Sequence, residues 1–370
     1  MTLHRTPLAL LLLIGFGHAL AAAPAPDLPP DEVVARVLRG NPGVQAAASQ
    51  IRVEEANRSR LEAGSYEWNV RLGGQQRRVR PASASDEQFT EWNAAIERPL
   101  RLAGKGALDA ELGAGGVALA ETAYGDTLHE SSRSLLKLWF AWLKESASAS
   151  QWREQAALLG KQNAAVTRRQ QLGDAARLDS VQSEAALAQA EAQLAQASVR
   201  QQTAGEDLRR RFPGLPVVAP AALSEPAAIA GSEEEWVNAL LEHSHELQLA
   251  RQEAKQAQVF AGRSSRDRLP DPTVGLQVSR ERAGEERIIG AYVSIPLPGT
   301  ARRASSDAAL AMADGAARRE AAANQKIVAE AVALYQSAQA AVASWQASRH
   351  AGERLGRAAE MTARAYQLGE

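Results

Sequence analysis

Two imidazoles in the sequence, His243 and His245, stand close enough to suggest a shared metal ion. On a helix, residues i and i+2 do not face each other, so the pair reads as structural or surface-exposed. Gly113-Ala114-Gly115-Gly116 suggests a loop that cradles phosphate. It lacks a preceding buried strand and a Lys-Ser/Thr, which that chemistry requires. Asp271 stands between Pro270 and Pro272 and reads as a turn residue rather than a general acid. With no cysteine in the chain, thiolate metal sites and disulfides are excluded. The expectation is a non-enzyme with no catalytic residue, no cofactor and no metal site.

The elements around these residues carry more information. The chain has 370 residues and a formal net charge of -1, so no long-range field favours nucleic acid. Aromatic residues make up 5% while alanine is abundant, a composition suited to close-packed helices. Residues 1–22 read as a secretory signal: a weakly basic start at His4 and Arg5, an apolar run from Leu8 to Leu20, and small residues around a cut after Ala21 or Ala22. The apolar run is too short to span a bilayer comfortably. With no cysteine near the cut, an exported protein without a lipid anchor is expected.

Residues 23–212 form a first repeat. Asp27 to Gly64 shows helical spacing. In a hairpin at 66–98 the period changes to two: Tyr66, Trp68, Val70 and Leu72 alternate with polar residues, and Trp92, Ala94 and Ile96 alternate with Glu91, Asn93 and Glu97. Long coiled-coil helices then fill 103–212, broken by a turn at Gly173; the longer one could reach roughly 100 Å at 1.5 Å per residue. A proline-rich connector occupies 213–231. A second repeat, 232–370, again reads helix, hairpin (272–296) and long helix (299–370).

The repeats are an internal duplication. Pro99-Leu100 matches Pro296-Leu297 at an offset of 197, and Gln171-Leu172-Gly173 matches Gln367-Leu368-Gly369 at 196. Asn41 to Ala47 matches Ser244 to Ala250 at 203. In the first copy roughly 40 residues follow the tip glycine, so the second copy reads as C-terminally truncated.

The helix after Gly173 carries two stripes. Leu178, Val181, Ala185, Ala188, Ala192, Ala195 and Val199 keep the 3-4 spacing of a coiled-coil seam. Leu187, Ala190, Leu194, Ala197, Ala204 and Leu208 lie on another flank. A helix gripped on both sides can propagate into a sheet of helices that closes as a cylinder; an isolated helical hairpin or bundle is the simpler alternative. Four strands cannot close a barrel, and open edges in a bilayer leave backbone groups unsatisfied, so several chains would pool strands. The alternative is a small soluble sheet packed on helices.

In "NPGVQAA", "ERPLRLAGKGALDAE", "LPDPTVGL", "VSIPLPGTARR" and "QLGDAARLDSVQSEAALAQAEAQLAQA" the chain resembles the TolC-like outer-membrane efflux proteins. The resemblance implies a mostly α fold with a small β part: long helical hairpins forming an α-barrel, and two β-hairpins giving four strands to a shared transmembrane β-barrel. It implies a homotrimer in the outer membrane with a large periplasmic part. This would be the passive exit duct of a tripartite efflux system, working with a periplasmic adaptor and an inner-membrane pump. It carries adaptor docking onto Leu172, Gly173, Asp174, Leu178 and Asp179, and in the second repeat onto Leu368 and Gly369. The family's gate residues would fall beyond Glu370. "RPLRLAGKGA" resembles the branch serving heavy-metal pumps, which favours metal cations over drugs or polypeptides from a type I secretion system. An exported coiled-coil scaffold or adhesin is the rival from another class.

Alternation and the need for an apolar outer band assign the strand faces. Trp68, Val70, Leu72, Trp92, Ile96, Val274, Leu276, Val278, Ile289, Val293 and Ile295 are expected to face lipid. Glu67, Arg71, Glu91, Asn93, Thr273 and Gln277 are expected to line the pore. Asp174 is expected to cap the helix after the tip. Val328, Val332, Tyr335 and Val342 are expected to be exposed on the last helix.

Overall fold

The computed structural model describes residues 27–80, 86–220 and 223–368, side chains excepted for the last three. The signal segment and Gly369 lie outside the described residues, and Leu368 is placed only as a helix end. The elements run α1 (Asp31–Arg39), α2 (Pro42–Ala63), β1 (Asn69–Val79), β2 (Glu87–Pro99), α3 (Lys105–Gln171), α4 (Arg177–Arg211), α5 (Glu233–His243), α6 (His245–Arg266), β3 (Thr273–Glu281), β4 (Glu286–Ser294) and α7 (Thr300–Leu368).

The duplication is visible in the lengths. α2 and α6 each have 22 residues, and α3 and α7 have 67 and 69. The residues that start α2 and α6 correspond as well: the Asn41 side chain accepts from Gly43 N at 2.9 Å, and Ser244 Oγ accepts from Leu247 N at 3.2 Å. Such caps satisfy backbone donors that the helix leaves open.

The same residues correct two readings. The stretch from Asp27 to Gly64 is two helices, because Pro42 disfavours helical backbone at Asn41. His243 and His245 do not stand on one helix, as the i, i+2 reading assumes: they end one helix and begin the next, and His245 stacks edge-on to His129 at 5.8 Å. β1 also continues through Gln75–Val79, where the sequence has no apolar alternation; pairing with β2 as far as Val79–Glu87 sustains it.

The described residues divide into two compact units that cut across the repeats: residues 27–40 with 132–226, and 41–131 with 227–368. In the first, α3 and α4 pair antiparallel. Leu135, Trp142, Ala149 and Ala156 recur every seven residues on α3 and are buried, as are Ala190, Ala197 and Leu208 on α4. Gly205 lies against Trp142, where an added Cβ would come 3.4 Å from the indole. Arg200 Nε meets Glu145 at 2.9 Å, and Gln201 donates to Ser146 Oγ at 3.2 Å. At one end Trp139 Nε1 donates to Asp27 O at 2.7 Å, and Asp27 in turn accepts from Ser224 Oγ.

Of α4's two stripes, the one containing Ala190, Ala197 and Leu208 makes this seam. The stripe from Leu178 to Val199 is exposed along its whole length. One flank of α4 is thus packed within the chain and one is open.

In the second unit, Gly113 to Gly116 have a packing function. A Cβ on Gly113 would lie 2.9 Å from the Arg58 backbone on α2, one on Gly116 would press on Glu54, and one on Gly115 would overlap Gln256 of α6. The glycines let α3 pass between two neighbours, and Gln256 donates to Leu112 O at 2.9 Å. α7 packs on α5 and α6 through Ser306, Ala309, Ala316, Ile327 and Ala331. Val328, Val332, Tyr335 and Val342, expected to be exposed, are half-buried on that side, and Tyr335 donates to Gly231 O at 3.0 Å. Among the described side chains, the exposed large apolar residues of α7 are Leu310, Met312, Leu334, Leu355 and Met361.

Candidate functional site

The four strands form one antiparallel sheet in the order β1-β2-β3-β4, which leaves β1 and β4 as its edges. Register puts Val70, Ile96, Leu276 and Ala291 side by side, and Leu72, Ala94, Val278 and Ile289 in the next such row. Val274 pairs with Val293 on the same face. Trp68 and Ile295 flank the strands and are exposed. Most of this apolar face is open: Leu72 is 77% exposed and Ile289 72%. Ala94, Val274 and Val278 are half-buried.

The opposite face carries Arg71, Glu91, Asn93, Thr273 and Gln277, with Glu67 just before β1. It is a hydrogen-bonded lattice. Glu97 accepts from Asn69 at 3.2 Å, Arg71 at 2.8 Å and Tyr292 Oη at 2.5 Å. Glu91 accepts from Gln75 at 2.8 Å and Arg282 N at 3.3 Å, and pairs with Arg77 at 3.2 Å. Arg77 reaches on to Glu281 at 2.8 Å. Glu91 lies on the face expected to line the pore, but it is 2% exposed, shielded by the groups that pair with it.

At the root of the sheet two distant segments meet. Lys105, 1% exposed, places Nζ 3.0 Å from both Asp267 and Asp271 and donates to Leu269 O at 2.8 Å. Asp271 also accepts from Leu102 N at 3.0 Å and from Tyr66 Oη at 2.8 Å. Arg263 bridges Asp267 and Asp109 at 2.5 and 2.6 Å. Burial opposes ionisation of Asp271, but Leu102 N–H, Lys105 and Tyr66 hold its carboxyl below the ordinary value. Asp267 is lowered too, with burial again opposing and Arg263 and Lys105 prevailing. A cleft of about 670 Å³ opens here, lined by Arg60, Tyr66, Glu67, Glu97, Arg263 and Asp271 among others. Asp271 is thus a junction residue that ties the start of β3 to the start of α3. Lys105 and Asp109 lie in the stretch Glu97 to Glu111 and Asp271 in the stretch Leu269 to Leu276, so these two sequence motifs meet here. That pairing, and the roles of Lys105, Arg263, Asp267, Glu97 and Tyr292, were not anticipated.

The tip is the turn between α3 and α4. Gly173 has φ +83° with nothing within 4 Å of a Cβ position. Asp174 N bonds Arg169 O at 2.9 Å and Gly173 N bonds Gln170 O at 3.1 Å, the double closure of a Schellman turn. The Asp174 carboxylate turns back to Arg169 at 3.1 Å, so it closes the preceding helix and does not cap the next. That cap falls to Asp179, which accepts from Ala176 N at 3.3 Å. Leu172 and Leu178 are 74% and 63% exposed.

Among the described residues no group of three or more His, Asp or Glu side chains is placed to hold a metal, and no helix is long and apolar enough to cross a membrane.

This combination, long helices rooted on a four-stranded antiparallel sheet from a duplicated chain, is the fold of the TolC-like outer-membrane channels. Among solved structures, a membrane protein from Pseudomonas aeruginosa superposes with a TM-score of 0.74 at 17% identity, over 93% of this chain and 85% of that one. CusC, described in terms of transmembrane channel formation, gives 0.73 at 14% over 91% and 82%. The outer membrane protein VceC from Vibrio cholerae gives 0.71 at 17% over 92% and 86%. No protein-family model matches the chain, and no curated protein matches it in sequence.

Proposed function

We propose that the chain is a protomer of an outer-membrane efflux channel, a passive exit duct without catalytic chemistry. Three copies pool their strands into one β-barrel, with the apolar face toward lipid and the Glu91–Glu97 face toward water. The observation that carries this reading is the sorting of the sheet: one face is largely apolar and open, the other is largely polar and cross-linked by hydrogen bonds and ion pairs. A soluble sheet would cover the first face; a bilayer covers it in a barrel. The open stripe of α4 is where a second copy completes the helical wall.

The tip residues Leu172, Gly173, Asp174, Leu178 and Asp179 dock a periplasmic adaptor, with Leu368 and Gly369 as their second-repeat counterparts. The adaptor connects the duct to an inner-membrane pump. Metal cations are the favoured cargo over drugs, on the resemblance of the segment around Lys105.

Single-cysteine labelling in native outer membranes tests the reading, together with conductance of the purified chain in planar bilayers. Aqueous reagents should modify a cysteine at Arg71 and spare one at Val70. Equal labelling with no conductance would favour the exported scaffold instead.

A further inference from the structure

Charge in the strands is sorted by face more strictly than a barrel requires. The five acidic strand residues, Glu87, Glu91, Glu97, Glu281 and Glu286, all lie on the polar face. The two arginines there, Arg71 and Arg77, are paired with them. The apolar face carries no acid, yet it holds Arg78, Arg98, Arg280 and Arg287.

Their positions are informative. In β3 the alternation runs Val274, Leu276, Val278, then Arg280; in β4 it runs Val293, Ala291, Ile289, then Arg287. The apolar band therefore stops at one level on both strands. Register completes that level as a row: Gly74, Trp92, Arg280, Arg287. Arg280 and Arg287 are directly opposed, a placement that brings like charges within about 5 Å at the backbone and is unfavourable without a counter-charge. Among the described residues neither has an ion-pair partner, and both are exposed. On the polar face the next pair, Glu281 and Glu286, is also of like charge, but Arg77 and Arg282 answer it. Arg78 lies on the apolar face still nearer the hairpin end.

We propose that the Trp92–Arg280–Arg287 row binds the phosphate groups of lipid headgroups in the leaflet beside the hairpin ends. The inference rests on the apolar face meeting lipid. A barrel's apolar band ends at an aromatic girdle at headgroup depth, the level Trp92 holds here. Guanidinium forks match phosphate oxygens in pairs, and a phosphate held between the two arginines supplies the counter-charge that the sheet lacks. Arg98, at the other end of the band, is already engaged: its Nε donates to Tyr66 O at 2.7 Å and its guanidinium lies over Trp68.

The test uses the full chain in detergent, incubated with diphosphorylated lipid A or with a non-phosphorylated glycolipid of equal chain length. Bound lipid is counted by native mass spectrometry, and the same preparations are assayed for conductance. The native chain should retain lipid A several-fold better than the other glycolipid. Arg280→Gln/Arg287→Gln should abolish the difference, while Arg98→Gln keeps it. Undiminished retention by the double variant overturns the proposal, as does equal loss in Arg98→Gln. Inorganic phosphate raising the melting temperature as much as lipid A, through the same two arginines, overturns the lipid assignment. A native chain that does not conduct defeats the channel reading and this one with it; conduction with lipid retention indifferent to Arg280 and Arg287 defeats this one alone.

Discussion

Lys105 and Asp271 lie 166 positions apart in the chain and 3.0 Å apart in the fold, with the lysine almost wholly enclosed. Each sits where a helix and a strand meet, so their contact fixes both hairpins of the sheet to the helices beneath. Replacing Lys105 by Met leaves Asp267 and Asp271 facing each other without their shared cation. The expected loss is about 3–5 kcal/mol. Asp271→Asn keeps a polar group in place and should cost less, about 1–3 kcal/mol. Thermal melting of the purified chain ranks the two, and the reverse order would mean that the lysine is not the hub.

The same cluster sets an acid limit. Asp267 and Asp271 both ionise below the ordinary 3.8 in the folded chain. Their stabilising contribution is therefore complete above that value and lost as pH falls through the depressed folded values. Stability should be flat with respect to these groups near neutrality and fall steeply only in strong acid. Asp271→Asn should flatten part of that fall, which melting across an acid series measures.

The two stripes of α4 should respond differently to one substitution. Ala197→Leu overfills a seam in which Ala197 has 0% exposure, and should cost about 1–3 kcal/mol in the protomer itself. Ala195→Leu falls on the open stripe and should leave the protomer's melting unchanged while reducing heat-resistant trimer on gels. Equal effects in both assays would count against a second copy covering that stripe.

Gly275 and Tyr292 oppose each other across β3 and β4, and a Cβ on Gly275 would run into the Tyr292 ring. The glycine's open space lets the tyrosine lie flat and reach Glu97. Gly275→Ala should therefore mimic Tyr292→Phe, and combining them should add little. Additive losses in a melting double-mutant cycle would show that the ring is held some other way.

At the tip, Gly173→Ala meets no side chain but places a Cβ on left-handed backbone, with a local cost of about 1–2 kcal/mol. If the proposed adaptor docking is right, Gly173→Trp should abolish export while trimers still form, because its bulk would project into the docking surface. Full export by that variant would remove docking from this turn.

Patterns along the chain made much of this legible. The repeat offset of 203 placed Asn41 and Ser244 in equivalent positions, and both turned out to be helix caps. Period-two alternation separates Val70 from Arg71, and the register keeps them on opposite faces. Where a choice depended on tertiary contact, sequence had little to say. Both stripes of α4 look alike as spacing, and only the position of α3 shows which is filled. The polar run after Gly74 has no alternation to mark it as strand. Asp271 resembles a turn residue until Lys105 and Leu102 arrive from far along the chain.

The sheet ends in two unlike edges, β1 on one side and β4 on the other. A ring made from such pieces joins an edge of one kind to an edge of the other at every seam. In the proposed barrel, a chain damaged in β1 alone would still offer a sound β4, so it would be recruited into mixed rings and leave one seam open. Genetic dominance follows: a proline at an outward-donating position of β1 should poison channels made alongside normal chains. A deletion of the whole hairpin, which cannot enter a ring, should be recessive.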